Sequence, residues 1–280
     1  MSLKIYHVTN ETNPFTGKTI VGDFIQNYSI IYNENKVDIR LFIPKYGYIS
    51  DRKNILREVI RLQDIPVNYL NSEIHSSVKS SFIPDSRVQT YFLEQPEMFD
   101  KIDQKSVLKH VLPKSLRNKY LDSFMYFSVA SLNTLKYLYW KPDRIISNNW
   151  YSAIIPILLK NNHYDNAWFK GTKTILLLSS DQPFYSFSKE ILKSFKIPEC
   201  KFDISDPIEY LKAAIYYSDG VTFLKVKGKN YLQELLEDKD ISKLIKEMGD
   251  SYKEINLESI EEKEFLLKTA KEYYTYLEKI

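Results

Sequence analysis

Glycine and cysteine are both scarce in this sequence of 280 residues, which contains 7 glycines and one cysteine, Cys200. A single cysteine forms no internal disulfide and lies in no metal-ligand spacing, so we expect a reduced, cytoplasmic protein. No apolar run approaches the roughly 20 residues that span a bilayer, and the chain does not open with the pattern of a signal peptide. We therefore expect no membrane association.

An excess of charge of one sign is also lacking. The 39 Lys and Arg residues nearly balance the 36 Asp and Glu residues, and no basic run is concentrated enough to follow a row of phosphates, so no nucleic-acid partner is expected. The histidines His7, His75, His110 and His163 are scattered without the spacing of a zinc site, so no metal and no cofactor is expected. His7 lies in the first apolar run, where a packed core residue is expected.

Strand-like and helix-like segments alternate from the start of the chain. Lys4–Thr9 is apolar, Val21–Tyr32 has apolar residues on one helical face, and Val37–Ile43 is a near-continuous apolar run with β-branched residues. A strand, a helix and a second strand in close succession are typical of a βαβ unit. The sequence therefore predicts a single α/β domain over residues 1–280, with a doubly wound, mainly parallel, Rossmann-like sheet.

Later segments extend this pattern. Thr172–Leu178 is the most apolar strand and is predicted to lie at the sheet centre, whereas Ser76–Ser81 is predicted to be a polar loop. Lys101–Asn118 is charged and irregular, which is typical of a surface insertion. Two amphipathic segments, Tyr231–Met248 and Ser259–Lys279, are predicted to be helices that pack on the sheet, with partner binding as the alternative.

The loop between the first strand and the first helix contains Gly17, Lys18 and Thr19. In an open α/β sheet this loop lies at the carboxyl end of a strand, where ligands bind, and the N–H groups at a helix start attract anions. A lysine adds a positive charge for the same partner. The pattern predicts a phosphate-binding loop, with an ordinary turn and a solvated lysine as the alternative.

Two other groups of residues are candidates for catalysis. Ser179 and Ser180 follow the most apolar strand, but no G-x-S-x-G elbow is present and no histidine lies nearby, so helix capping is the simpler interpretation. Glu11 follows the first strand, yet one carboxylate does not make the pair that a glycosidase needs. No catalytic residue is assigned from the sequence.

Aromatic residues surround the candidate loops. Tyr151 and Tyr185 combine an aromatic face with a hydroxyl and are predicted to line a sugar-binding groove. Trp150 and Phe184 lack such a preference, and we expect them in the core.

Five stretches resemble the amino-terminal domain of bacterial glycogen synthases and plant starch synthases, in the family's own order. Asn10-Glu11-Thr12-Asn13-Pro14-Phe15 with Val21-Gly22-Asp23 is similar to the family's Ser-Glu-x-x-Pro-Phe and Gly-Leu-Gly-Asp. The other four stretches are Ile39–Gly47, Tyr91–Asp100, Lys141–Trp150 and Leu211–Thr222. The resemblance covers about residues 4 to 224 and implies one half of a GT-B fold, which has two facing Rossmann-like domains.

The sequence also departs from the family's motifs. Thr19 and Ile20 stand where the family has paired glycines, and Gly17 stands where it has a lysine. Asn149 replaces an aspartate, and Ser179 replaces a histidine expected near the reacting sugar.

The resemblance implies transfer of glucose from ADP-glucose or UDP-glucose to an α-1,4-glucan. It also implies that the family's second, nucleotide-sugar domain is absent from these 280 residues, so that a separate chain would supply it. The resemblance implies phosphate contacts at Gly17, Lys18 and Thr19, and sugar contacts at Asn149, Tyr151, Ser179 and Ser180. Two alternatives remain open: a pseudoenzyme that binds carbohydrate or a partner protein, and a self-sufficient enzyme acting on another substrate.

Overall fold

The computed structural model describes residues 2–161, 166–195, 200–257 and 263–280. His163 and residues 259–262 of the last predicted helix lie outside the described residues. The strands are β1 Lys4–Val8, β2 Asp38–Pro44, β3 Arg57–Glu58, β4 Ile65–Tyr69, β5 Ser72–Phe82, β6 Gln89–Glu94, β7 Arg144–Asn148, β8 Lys173–Ser179, β9 Gly220–Val226 and β10 Tyr252–Leu257.

Helices connect most of these strands. They are α1 Ile20–Glu34, α2 Asp51–Asn54, α3 Pro96–Phe99, α4 Gln104–Lys109, α5 Arg117–Tyr137, α6 Asn149–Ser152, α7 Ile154–Lys160, α8 Asn166–Phe169, α9 Lys189–Phe195, α10 Pro207–Tyr217, α11 Gln233–Leu236, α12 Lys239–Met248 and α13 Lys263–Lys279. None of the helices in the described ranges is both long enough and apolar enough to cross a membrane.

The strands form one mostly parallel sheet in the order β10-β9-β8-β7-β1-β2-β6-β5-β3, with β4 paired to β5. Every pair from β10 to β6 is parallel, and the pairs that involve β5 are antiparallel. This confirms the predicted α/β class with a mainly parallel sheet.

The chain reverses its direction of travel across the sheet at β1 and β7. The β1–α1–β2 unit moves toward one edge, whereas β7, β8, β9 and β10 follow one another toward the other edge. Because such crossovers are right-handed, α1 and α7 cover opposite faces, as expected of a doubly wound sheet. Accordingly α1 packs against α13, while α7 packs against α5 and α10. Ligands bind in open α/β sheets at the carboxyl ends of the strands that flank this switch point.

Three expectations need correction. Ser76–Ser81 is not a loop but part of the antiparallel strand β5, in which Ser76 and Val78 point inward and the Ser76 hydroxyl lies 2.6 Å from that of Tyr126. Lys101–Asn118 is not an irregular surface insertion, because it contains α4 and buries apolar side chains such as Val107.

The third correction concerns β8. This strand lies between β7 and β9 and is fully buried from Ile175 to Leu178, but β1 occupies the middle of the strand order. A continuous apolar run indicates that both faces of a strand are covered. Any interior strand has both faces covered, whether or not it lies at the centre of the sheet. Strand β10 was missed altogether, because only Ile255 and Leu257 of this edge strand are buried.

One tyrosine of helix α13 bonds the backbone at the edge of the sheet. The Tyr276 hydroxyl donates to the backbone oxygens of Ser251 at 2.7 Å and Val221 at 3.0 Å. Gly220 permits this approach, because a Cβ there would lie 2.7 Å from the same hydroxyl.

We predict that Tyr276→Phe lowers the free energy of unfolding by about 1–2 kcal/mol, because a buried hydrogen bond is lost without loss of ring packing. The measurement is urea unfolding. The matched control is Tyr274→Phe, whose hydroxyl donates to Glu278 at the surface and whose removal should change stability by less than about 0.5 kcal/mol. Equal effects of the two substitutions would contradict this account of α13.

Candidate functional site

Polar residues from three strand ends gather at the switch point. Strand β1 is followed by Glu11, β7 by Asn149, and β8 by Asp181 and Gln182. The register places Val8 of β1 opposite Ser147 of β7, so the segments that follow these two strands begin at the same level. Asn148 and Asn10 join them, with 2.8 Å between Nδ2 and Oδ1.

Glu11 is the central residue of this edge, and its carboxylate is fully buried. Gln182 Nε2 donates to Oε1 at 2.6 Å, and the Thr19 hydroxyl donates to Oε2. Burial raises the pKa of Glu11, the nearby Asp181 carboxylate adds to this effect, and His110 and the two hydrogen bonds oppose it. The protein thus keeps an acidic group in a place where its charged form is costly.

Gln182 extends this hydrogen-bond network to Asn149, the residue after β7. Its Oε1 accepts from Asn149 Nδ2 at 3.0 Å, and Asn149 Oδ1 accepts from the backbone N–H of Trp150 at 2.8 Å. Asn149 has a φ of +46°, a conformation that asparagine tolerates better than most residues. Thr19, Glu11, Gln182 and Asn149 therefore form one continuous network between α1 and three strand ends.

His110 reaches the same place from α4. It directly follows that helix and is buried, with an exposed fraction of 3%. Its Nε2 lies 3.7 Å from Glu11 Oε1 and 3.9 Å from Asp181 Oδ2. Within the described part of the chain, neither ring nitrogen has a hydrogen-bond partner. Asp181 is itself held by Ser179, whose hydroxyl donates to Oδ1 at 2.6 Å.

The predicted phosphate loop is only partly drawn into this cluster. Thr19 caps α1 by accepting from the Gly22 N–H at 2.9 Å and also bonds Glu11, whereas Lys18 is exposed. Gly17 has a φ of +111°, and a Cβ there would lie 2.9 Å from Gln104 and from Leu108 of α4. The phosphate contact at this loop stays a prediction.

The predicted sugar-binding residues separate into two sets. Asn149 and Ser179 belong to the polar network described above. Ser180 instead ties β8 to β9, accepting from the Val226 N–H at 2.8 Å. Tyr151 is buried against Phe124 and Trp150, and its sugar contact stays a prediction.

Other sequence interpretations are confirmed. Trp150, Phe184 and His7 are buried, and His7 Nδ1 is hydrogen-bonded to the Tyr28 hydroxyl. Burial lowers the pKa of His7 to about 3, so this ring stays neutral.

Sequence reasoning missed His110 and Gln182. The position of Gln182, shortly after the interior strand β8, was a usable signal. His110 had none, because it lies about 100 residues from Glu11 and 70 from Asp181 in a segment with no motif. No group of three or more His, Cys, Asp or Glu side chains in the described ranges is arranged to hold a metal ion.

A solved structure has the same fold. The catalytic domain of starch synthase IV from Arabidopsis thaliana, bound to ADP and acarbose, matches with a TM-score of 0.70 over 91% of this chain and 52% of that chain, at 16% identity. The fold is therefore that of a GT-B glycosyltransferase domain.

Residues 4–247 match the family model of the starch synthase catalytic domain, so the chain belongs to the glycogen and starch synthase family. It is 34% identical over 192 residues to the glycogen synthase of Chlorobium luteolum, covering 66% of this chain and 38% of that protein. It is 33% identical over 238 residues to that of Chlorobium phaeovibrioides, covering 84% and 47%. The chain thus spans about half the length of the curated relatives it matches, and the predicted family is confirmed.

We predict that Glu11→Gln becomes more stable relative to the parent protein as the pH rises from 4 to 7. Since the pKa of Glu11 is raised by folding, the folded state holds this proton more tightly than the unfolded state. Its contribution is complete below the usual pKa of 4.5 and is lost as the pH rises through the folded value. The amide cannot ionise, so the substitution removes this loss.

Urea unfolding at several pH values measures the difference. The control is Glu97→Gln, which makes the same chemical change at an exposed position. A Glu11→Gln difference that is flat or falls with rising pH would show that the folded protein does not penalise the carboxylate.

Proposed function

We propose that this chain is the acceptor-side half of a glycosyltransferase of glycogen or starch metabolism, which binds an α-1,4-glucan at the switch point of its sheet. The reaction would transfer glucose from ADP-glucose or UDP-glucose to the glucan. The observation that carries this proposal is the buried network of Thr19, Glu11, Gln182 and Asn149 in a domain of the synthase family. Its amide and carboxylate oxygens suit sugar hydroxyls.

The donor side needs further residues. The relatives are about twice the matched length, so we propose that the rest of the nucleotide-sugar site comes from polypeptide outside these 280 residues. A continuation of the same polypeptide and a separate chain would serve equally well.

A second candidate is a pseudoenzyme that binds glucan without transferring glucose. The observation that favours it is the substitution of Asn149 and Ser179 for the acidic and imidazole groups that resemblance to the family implies. An amide and a hydroxyl still bind sugars, but they carry no charge with which to stabilise a transition state.

Binding and transfer assays separate the two candidates. The first test is retardation in native gels that contain glycogen, with dextran as the control polymer, and the second is transfer of labelled glucose from each donor to glycogen, with and without cell lysate. Retardation with transfer supports the transferase, and retardation alone supports the pseudoenzyme. A chain that glycogen does not retard would overturn both.

We predict that Ser179→Ala weakens glucan binding about fivefold to tenfold, because Asp181 loses the hydrogen bond that orients it. The control is Ser205→Ala, which removes a similar serine–aspartate hydrogen bond, to Asp203, at an exposed site. Affinity for maltoheptaose by calorimetry is the measurement. Unchanged affinity in Ser179→Ala would remove Asp181 from the proposed site.

A further inference from the structure

His110 combines features that a purely structural histidine does not need. Its ring is buried, and both nitrogens lack a hydrogen-bond partner among the described residues. Leaving buried donors and acceptors unpaired is costly, and a protein that keeps two such atoms beside a polar network normally reserves them for a ligand or water.

The spacing around the ring fits an oxygen of a ligand. The separations of 3.7 and 3.9 Å from Nε2 to Glu11 and Asp181 are too long for direct hydrogen bonds. One hydroxyl oxygen placed about 2.8 Å from the nitrogen and about 2.8 Å from a carboxylate oxygen would bridge such a separation. Such a hydroxyl would accept from the imidazole N–H and donate to the carboxylate.

The carboxyl groups beside His110 indicate which class of ligand fits. Two carboxyl groups, Glu11 and Asp181, face the same ring nitrogen, and a phosphate placed there would meet their acceptor oxygens and be repelled by each carboxyl group in its ionised form. A neutral sugar is not repelled, and its neighbouring hydroxyls supply the donors and acceptors that the cluster lacks. We infer that His110, Glu11 and Asp181 form a subsite for hydroxyls of a neutral sugar ring, with His110 as the residue that contacts the sugar.

The fold explains how a remote residue reaches this place. His110 has a left-handed φ of +54° at the end of α4, and its N–H donates to the Val107 carbonyl at 3.2 Å. Helix α4 in turn rests on the first loop, where Gln104 Nε2 donates to the Thr16 carbonyl at 3.3 Å and Gly17 leaves space for Leu108. Gly17 thus allows α4, which ends at His110, to pack closely against the first loop.

This inference rests on the proposed function, which names the sugar as an α-glucan. The test is nuclear magnetic resonance of the imidazole signals of the 280-residue chain, titrated with maltoheptaose, with other neutral sugars and with ADP. We expect maltoheptaose to shift the His110 signals and ADP to leave them in place. ADP alone shifting those signals, or no sugar shifting them, would overturn the inference.

Substitution gives a second readout. His110→Ala should weaken binding of maltoheptaose tenfold or more without changing binding of ADP, and His110→Gln, a smaller change in volume, tests the role if the alanine variant fails to fold. The control is His75→Ala, because His75 also lies between two carboxylates, 3.0 Å from Glu73 and from Asp64, but at the surface. Unchanged sugar affinity in a folded His110 variant would contradict the inference.

The outcomes separate the two proposals. If another neutral sugar shifts His110 and α-glucans do not, the subsite stands and the proposed function fails. If the chain binds α-glucan while His110 substitutions change nothing, the proposed function stands and the subsite fails.

Discussion

The burial of one carboxylate, that of Glu11, constrains the rest of this edge of the protein. A buried carboxylate must be hydrogen-bonded or it destabilises the fold, and its partners here come from the start of α1 and from the segment after β8. Those partners are fixed in turn, Thr19 by the Gly22 N–H and Gln182 by Asn149. Each side chain is therefore positioned by its neighbours, which gives the site a defined geometry before any ligand arrives.

The sequence predicted most of the parallel part of the sheet, and physical reasons explain the strands that it missed. Strands β1, β2, β7 and β8 are covered on both faces, so their sequences are mostly apolar runs that can be recognised. Strand β5 is half exposed and rich in serine, and the edge strand β10 buries two side chains. In both strands the few buried side chains are separated by partly or fully exposed ones, so neither has the continuous apolar run that marks a strand covered on both faces.

The candidate site likewise contains some residues that the sequence predicted and others that it did not. Glu11 and Asn149 come shortly after strands and Ser179 ends one, and residues in these positions of a parallel sheet lie at its ligand-binding edge. His110 arrives there through tertiary packing of α4 on Gly17, which no local pattern encodes. The glycine was recognisable as special from the sequence, and the structure adds a close approach of α4 that no sequence pattern predicted.

The first helix explains why charge at this edge favours a neutral ligand. The start of a helix attracts an anion, and the Thr19 hydroxyl that caps α1 already bonds the Glu11 carboxylate. The Glu11 carboxyl group thus lies beside the start of α1, which is the position that a helix offers to a phosphate. A phosphate approaching α1 would have to share the helix start with Glu11 and meet Asp181 close by, whereas a sugar hydroxyl would gain from both carboxylates.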